Sequence, residues 1–316
     1  MLRTFHHLNS LRPEQDRHAL VLLSRSPQPE WSARGIDVRP VDYTSHTSLV
    51  AALSNVHTLC SVIGGSASAL QHAQLALLAA AQEAGVQRFA PSEYAGLGYD
   101  NIDLYQPKAL VWTACLEARE AAGLECTRIN CGLFMSLLAT GTPKPPTEVG
   151  KREGAETGEE EALAGLRPWN FVLNMKAGTA DLPGDGTAPV AWTDMRDVAV
   201  FVYEALSLPS WPENLNLRGS LQSFRQILAI VEKVQDRRFL VRENPLEDLR
   251  AMAKDPEKTF YNQVRAALAE GYGDVSDNLN QRYPDIKPVS CEEFVEKWWG
   301  GVELGESKWE EDQSFM

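Results

Sequence analysis

A chain of 316 residues with 44% apolar side chains can bury a full core, as one large α/β domain or as a domain with a smaller lobe. Its formal net charge of −13 repels a phosphate backbone and argues against direct nucleic-acid binding. The five cysteines (Cys60, Cys115, Cys126, Cys131, Cys291) are odd in number and form no CxxC pair, so reduced, mostly buried thiols in a cytoplasmic protein are expected, with no metal, no membrane span and no signal peptide.

Strand and helix signals alternate through the first half. The run Val21-Leu22-Leu23-Ser24-Arg25 closes a buried strand predicted over residues 18–24, and further strands are predicted over 36–41, 58–63, 88–91 and 126–130. Helical patterns lie between them at 45–54, 67–84 and 108–122, with Gly85 and Gly123 just past two of their ends. This alternation implies βαβ units and a parallel sheet covered by helices on both faces. Residues 143–168 carry Pro145-Pro146 and then Glu153, Glu156, Glu159, Glu160 and Glu161 among small residues, which reads as an acidic flexible insert. Beyond it, short strands are expected over 169–175 and 188–192, separated by the turn Pro183-Gly184-Asp185-Gly186. A helix follows over 194–206 with Thr193 or Asp194 as its cap, then helices over 224–234, 245–252 and 292–299. The domain reading is a dinucleotide-type domain over 1–142, the insert, and an α+β lobe over 169–316, some segments of which return to the first sheet.

Several short strings carry chemistry. Arg25 follows the early strand, where a basic residue can meet the 2′-phosphate of NADP, although a surface arginine at that place is common. Ser61-Val62-Ile63-Gly64-Gly65-Ser66 lets a ligand approach backbone N–H groups at a helix start, but it is not a G-x-G-x-x-G phosphate loop. Arg88-Phe89-Ala90-Pro91-Ser92-Glu93-Tyr94 runs from a strand into a polar turn that would face a ligand crevice. Lys108 opens the next helix. A lysine in a cofactor cleft can act as base or proton relay, although a solvated lysine at a helix start is the commoner case. The spacing Tyr283-x-x-x-Lys287 is a chance match, because Pro284 and Pro288 forbid a regular helix.

Together, Leu22-Leu23-Ser24-Arg25, Val41-Asp42-Tyr43, the string from Gly85 to Tyr94, Lys108-Ala109, Asn130-Cys131-Gly132-Leu133-Phe134 and Thr193-Asp194-Met195-Arg196-Asp197 resemble the NmrA-like and isoflavone-reductase-like branch of atypical short-chain dehydrogenases, in a fungal style. The similarity runs over about residues 17–240. It implies a Rossmann-like parallel sheet with helices on both faces and a smaller C-terminal α+β substrate lobe. It also implies NADP(H) as cofactor and a small aromatic or polyketide-type substrate, with no nucleic-acid partner, no membrane, and a homodimer left open. Lys108 aligns with the family's base or proton relay and Arg25 with its 2′-phosphate ligand. Ser24, Asp42, Tyr43, Gly64, Ser92, Asn130, Gly132 and Phe134 align with cofactor-lining positions. The reaction implied is an NADPH-dependent oxidoreduction in fungal secondary metabolism. A non-catalytic dinucleotide-sensing regulator and a non-redox isomerase or cyclase remain the alternatives.

One departure stands out. The family opens with a strand and a glycine-rich phosphate turn, whereas only sixteen residues precede Arg17 and none is glycine. Residues 2–5 look like the helix that follows such a turn. That first strand sits mid-sheet in the order 3-2-1-4-5-6, so its loss would leave its neighbours ~9–10 Å apart and short of ladder partners. Either the protein starts upstream of Met1 or the strand over 18–24 has moved to the centre.

Overall fold

The computed structural model describes residues 1–96, 98 and 102–309. Helix α1 (Leu2–Leu11) turns Phe5 inward and leads through a 3-10 turn at Glu14–Asp16 to strand β1 (Val21–Ser24). A proline in its first turn starts the short α2 (Pro29–Ala33), as its fixed φ allows, and β2 (Asp37–Pro40) follows. Ser45 caps α3 (His46–Ala52) by accepting the Ser48 N–H, and β3 (Thr58–Cys60) comes next. The long helical pattern over 67–84 divides into a π turn at Ala69–Ala73 and helix α4 (Gln74–Glu83). Gly85 then takes φ +76°, a left-handed conformation that costs other residues more, and β4 (Arg88–Ala90) follows. Helix α5 (Gln106–Ala122) buries Lys108, Val111, Trp112, Cys115 and Ala118, and ends at Gly123 with φ +69°. The strand predicted over 126–130 is two pieces, β5 (Glu125–Cys126) and β6 (Arg128–Asn130).

Strand β7 (Leu133–Phe134) precedes the region expected to be an acidic flexible insert. That expectation is corrected: the region carries helices α6 (Glu148–Arg152) and α7 (Gly158–Leu163). Thr157 and Glu160 form a capping box on α7, and the buried Glu161 carboxylate accepts the Thr147 N–H at 2.6 Å and its hydroxyl at 2.8 Å. The glutamates that made the segment look solvated are partly its capping and pairing groups. Next come β8 (Leu173–Asn174), β9 (Thr179–Pro183) and β10 (Ala191–Thr193). Helix α8 (Met195–Ala205) is capped by Asp194, whose Oδ1 accepts the Arg196 N–H at 2.7 Å. The remaining elements are β11 (Asn214–Asn216), β12 (Ser220–Leu221), α9 (Phe224–Gln235), β13 (Leu240–Asn244), α10 (Leu246–Met252), α11 (Thr259–Ala269), α12 (Asn278–Arg282) and α13 (Cys291–Trp299). Tyr283 follows α12 and Lys287 Nζ donates to the Pro284 carbonyl, so the Tyr-x-x-x-Lys spacing lies on no helix.

The chain divides into two compact units. The first comprises Met1–Tyr94, Leu104–Asn130 and Ala199–Asn216. It holds three parallel ladders, β1-β2, β3-β4-β5 and β6-β11, and one core in which Leu49, Leu53, Leu59, Leu77, Phe89 and Val111 meet Cys115 and Cys126. Leu23 of β1 and Tyr43 pack against this core. Strand β1 has not moved beside β3: among the described residues it pairs with β2, and β3 pairs with β4. The second unit takes more of the chain, Ala95–Asp103, Cys131–Val198 and Leu217–Met316, so the division does not fall at residues 142 and 169. Its sheets are mixed, β7-β10-β12 and β8-β9-β13, with β7-β10 and β9-β13 parallel and the other two pairings antiparallel. The result is an α/β protein with a Rossmann-like first unit.

Candidate functional site

In the first unit each predicted ligand-facing residue lies at or follows the carboxyl end of a parallel strand, where open α/β sheets hold their ligands. Ser24 ends β1 and its Oγ accepts from the Ser26 N–H and from Gln28 Nε2, each at 3.3 Å, which shapes the turn into α2. Arg25 is exposed, and its charge acts on Tyr43 after β2. Burial raises the Tyr43 phenol above its ordinary value and Arg25 opposes that rise. Asp42 accepts both the Thr44 N–H and its hydroxyl, which holds the exposed carboxylate below the usual range. Its oxygen serves its own turn. Beyond β3, an added Cβ at Gly64 would meet no atom within 4 Å, so this glycine leaves open space. Asn130 Nδ2 donates to Asn216 Oδ1 at 2.8 Å and ties β6 to β11.

Gly132 and Phe134 belong to the second unit. Gly132 has φ +69°, and a Cβ there would come within 2.1 Å of the Ala191 carbonyl oxygen, so the approach of β10 itself demands glycine. Phe134 lies opposite Thr193 in the β7-β10 ladder.

Lys108 is the residue on which structure and commoner expectation part. It is 6% exposed, not solvated, because the stripe Lys108, Val111, Trp112, Cys115 follows the i, i+3, i+4, i+7 rule and faces the core. Nζ donates to the Glu93 carbonyl at 2.6 Å, lies 3.8 Å from the Glu93 carboxylate, and sits 4.5 Å from the centroid of the Tyr105 ring. The turn that carries Glu93 is tightly held. The Glu93 N–H donates to Pro91 O at 2.9 Å, Tyr94 takes φ +43°, and the Tyr94 N–H donates to Ile129 O at 2.9 Å. A left-handed tyrosine costs on the order of 1 kcal/mol or more and persists where surrounding bonds over-determine it. Sequence reasoning passed over Glu93, whose carbonyl and carboxylate both meet Lys108, although it stands inside the Pro-Ser-Glu string. It also passed over Ser61, 3% exposed at the end of β3 with a hydroxyl that has no hydrogen-bond partner among the described residues.

A buried ammonium held at the end of β4 can keep and move a proton, and the orphan Ser61 hydroxyl with the space at Gly64 can receive a polar ligand. The fold is that of a Rossmann-like α/β protein in which Lys108 is buried against Glu93. A family model for the NmrA-like family matches residues 24–295, and the chain belongs to that family. It is 28% identical over 224 residues to "Oxidoreductase BOA1" of Botryotinia fuckeliana, an alignment covering 70% of this chain and 68% of that one. Among solved structures it is similar to leucoanthocyanidin reductase from Vitis vinifera in a ternary complex (TM-score 0.67, 17% identity, 93% and 94% of the two chains). It is also similar to the NADPH-dependent quinone oxidoreductase QOR2 of Escherichia coli complexed with NADPH (TM-score 0.66, 15% identity, 93% and 95%). These structural likenesses are likenesses of fold. Among the described residues no helix is long and apolar enough to cross a membrane.

Proposed function

We propose that the chain is an NADP(H)-dependent oxidoreductase acting on a small aromatic or polyketide-type molecule of fungal secondary metabolism. The observation that carries this reading is the buried Lys108, whose Nζ is held by the Glu93 carbonyl at 2.6 Å at the end of β4. The oxidoreductase name of the Botryotinia relative and the NADPH complex of the bacterial neighbour support it. The residues fit such a cofactor: Ser61 offers an unpartnered hydroxyl, Gly64 leaves room, and Arg25 presents a permanent positive charge beside Tyr43 that suits a 2′-phosphate. When bound, the nicotinamide supplies or takes up the hydride. Lys108 moves the accompanying proton at Nζ, and Glu93 and Tyr105 keep that ammonium in one place.

Calorimetric titration of NADPH and NADH into the folded chain tests the reading. Micromolar NADPH binding with a preference of about tenfold or more over NADH is expected, since a lost guanidinium–phosphate contact is worth roughly 1.5–3 kcal/mol. A folded chain that binds neither dinucleotide overturns it. Lys108→Met should keep the binding and lower turnover by ~10²–10⁴-fold, the usual contribution of a positioned proton-transfer group.

A further inference from the structure

The π turn at Ala69–Ala73 ends at Gln74, a polar residue in an alanine- and leucine-rich helix. A π insertion shifts the side chains beyond it out of α-helical register, and such turns gather at functional sites. Gln74 ends 1% exposed, with both ends of its amide engaged. Nε2 donates to the Leu70 carbonyl at 2.8 Å, and Oε1 accepts the Ser92 N–H at 2.5 Å. Ser92 begins the turn whose next residue gives its carbonyl to Lys108 Nζ.

We infer that Gln74 is a positioning residue for Lys108, fixing the Ser92-Glu93 peptide and so the acceptor that holds Nζ. The inference rests on the role given to Lys108 above. Two further ties of this turn, Glu93 N–H to Pro91 O and Tyr94 N–H to Ile129 O, run backbone to backbone and survive side-chain changes. The Ser92 N–H depends on a side chain from another element. Without that acceptor it is a buried donor left unsatisfied beside a strained Tyr94, and the turn relaxes toward ordinary φ. A glutamine that only filled space between helices would have no need to reach the end of β4.

The test compares Gln74→Met with Gln74→Glu by hydrogen exchange over the peptide containing Ser92–Tyr94 and by the rate at which an amine-reactive ester labels Lys108. Methionine keeps the volume and loses both bonds, whereas glutamate keeps the acceptor for Ser92. With methionine, exchange at Ser92 should rise about tenfold or more and Lys108 labelling several-fold, as expected for a locally opened turn. Glutamate should return Ser92 exchange to within about threefold of wild type, since its oxygen still meets that N–H. Wild-type rates in the methionine variant, or a glutamate variant no better protected than methionine, overturn the inference. Should Gln74→Met not fold, Gln74→Asn takes its place, being one methylene too short to span Leu70 O and Ser92 N. Neither rate requires substrate or cofactor, so a chain that bound no NADPH would sink the functional reading while these rates still judged the clamp.

Discussion

Two glycines of the predicted site separate packing from binding. Gly132 stands at φ +69° against the Ala191 carbonyl, so Gly132→Ala should destabilise the chain by about 2 kcal/mol or more in denaturant unfolding. Gly64 has space around it and no left-handed φ, so Gly64→Ala should leave stability within about 0.5 kcal/mol while weakening NADPH binding if the ligand passes there. Asp197 supplies a pH dependence. Its carboxylate accepts the Val289 N–H at 2.8 Å, and burial, reinforced by Asp194 and Glu293 and opposed by that N–H and Arg196, raises its pKa from the ordinary aspartate value of 3.8 to about 6. Between those values the folded chain holds a proton the unfolded chain has released. Stability therefore falls as pH rises from about 4 to about 6 and is level above, a loss on the order of 1–3 kcal/mol. Asp197→Asn, whose carbonyl can still meet Val289, should raise the melting temperature at pH 7.5 and change it little at pH 4. A variant that melts lower at both pH values would show that the charge is favourable where it stands.

Among elements, the same capping device starts two helices the sequence predicted, α9 and α13, and one, α7, where composition suggested a loop. Thr157-Glu160, Ser223-Gln226 and Ser290-Glu293 are complete capping boxes on α7, α9 and α13. Each satisfies orphan N–H groups at a helix start, and removal of the hydroxyl typically costs ~1 kcal/mol. Thr157→Ala should show that loss in equilibrium unfolding, with faster exchange over Gly158–Leu163, and an unchanged exchange pattern would mean that Glu161 alone holds α7. Helix α1 is anchored by specific bonds. The Tyr203 hydroxyl donates to Asn9 Oδ1 at 2.8 Å, the Phe5 and Tyr203 rings meet edge-on at 5.5 Å, and Arg12 forks onto the Glu204 carboxylate. The likeness of residues 2–5 to a helix was legible in the sequence, but Tyr203 and Glu204, which hold it down, lie some 190 residues away and were not.

At the scale of the whole molecule, the parallel strands of the first unit form separate ladders. Strand β4 is buried along its length, while β1 is half-buried throughout and β2 is exposed at both ends. A two-stranded ladder with partly solvated faces opens more readily than a buried central strand. Amide exchange in β1 and β2 should therefore run at least about tenfold faster than in β4, and equal protection would mean the ladders open as one cooperative body. The acidic balance that argued against nucleic acid is partly spent in ion pairs. Glu161 meets Lys297 at 3.2 Å and Arg196 at 3.8 Å, and Asp181 meets Arg265 at 3.1 Å in the interior. Such pairs are costly to break singly, because removal of one partner leaves a buried charge behind.

Periodicity and punctuation reached far into this fold. The alternation of apolar runs with helical stripes, and the glycines after α4 and α5, depend on neighbours within a few residues and were readable from the chain. The strings around Pro91-Ser92-Glu93 and Lys108 likewise carried the family. Burial is different, because it depends on what arrives from elsewhere. Lys108 looked like a solvated helix-start residue until its stripe faced the core and Glu93, fifteen positions earlier, came to meet it. The glutamates of 143–168 looked like a loop until Thr147 and the capping box took them up. Gln74 drew no notice in the chain's pattern, and it is the π turn that aims it at Ser92. Those outcomes belong to tertiary structure where the hydrogen-bond partner stands outside any local pattern, as Glu93, Thr147 and Ser92 do, whereas the Thr157–Glu160 box is itself a local T-x-x-E spacing.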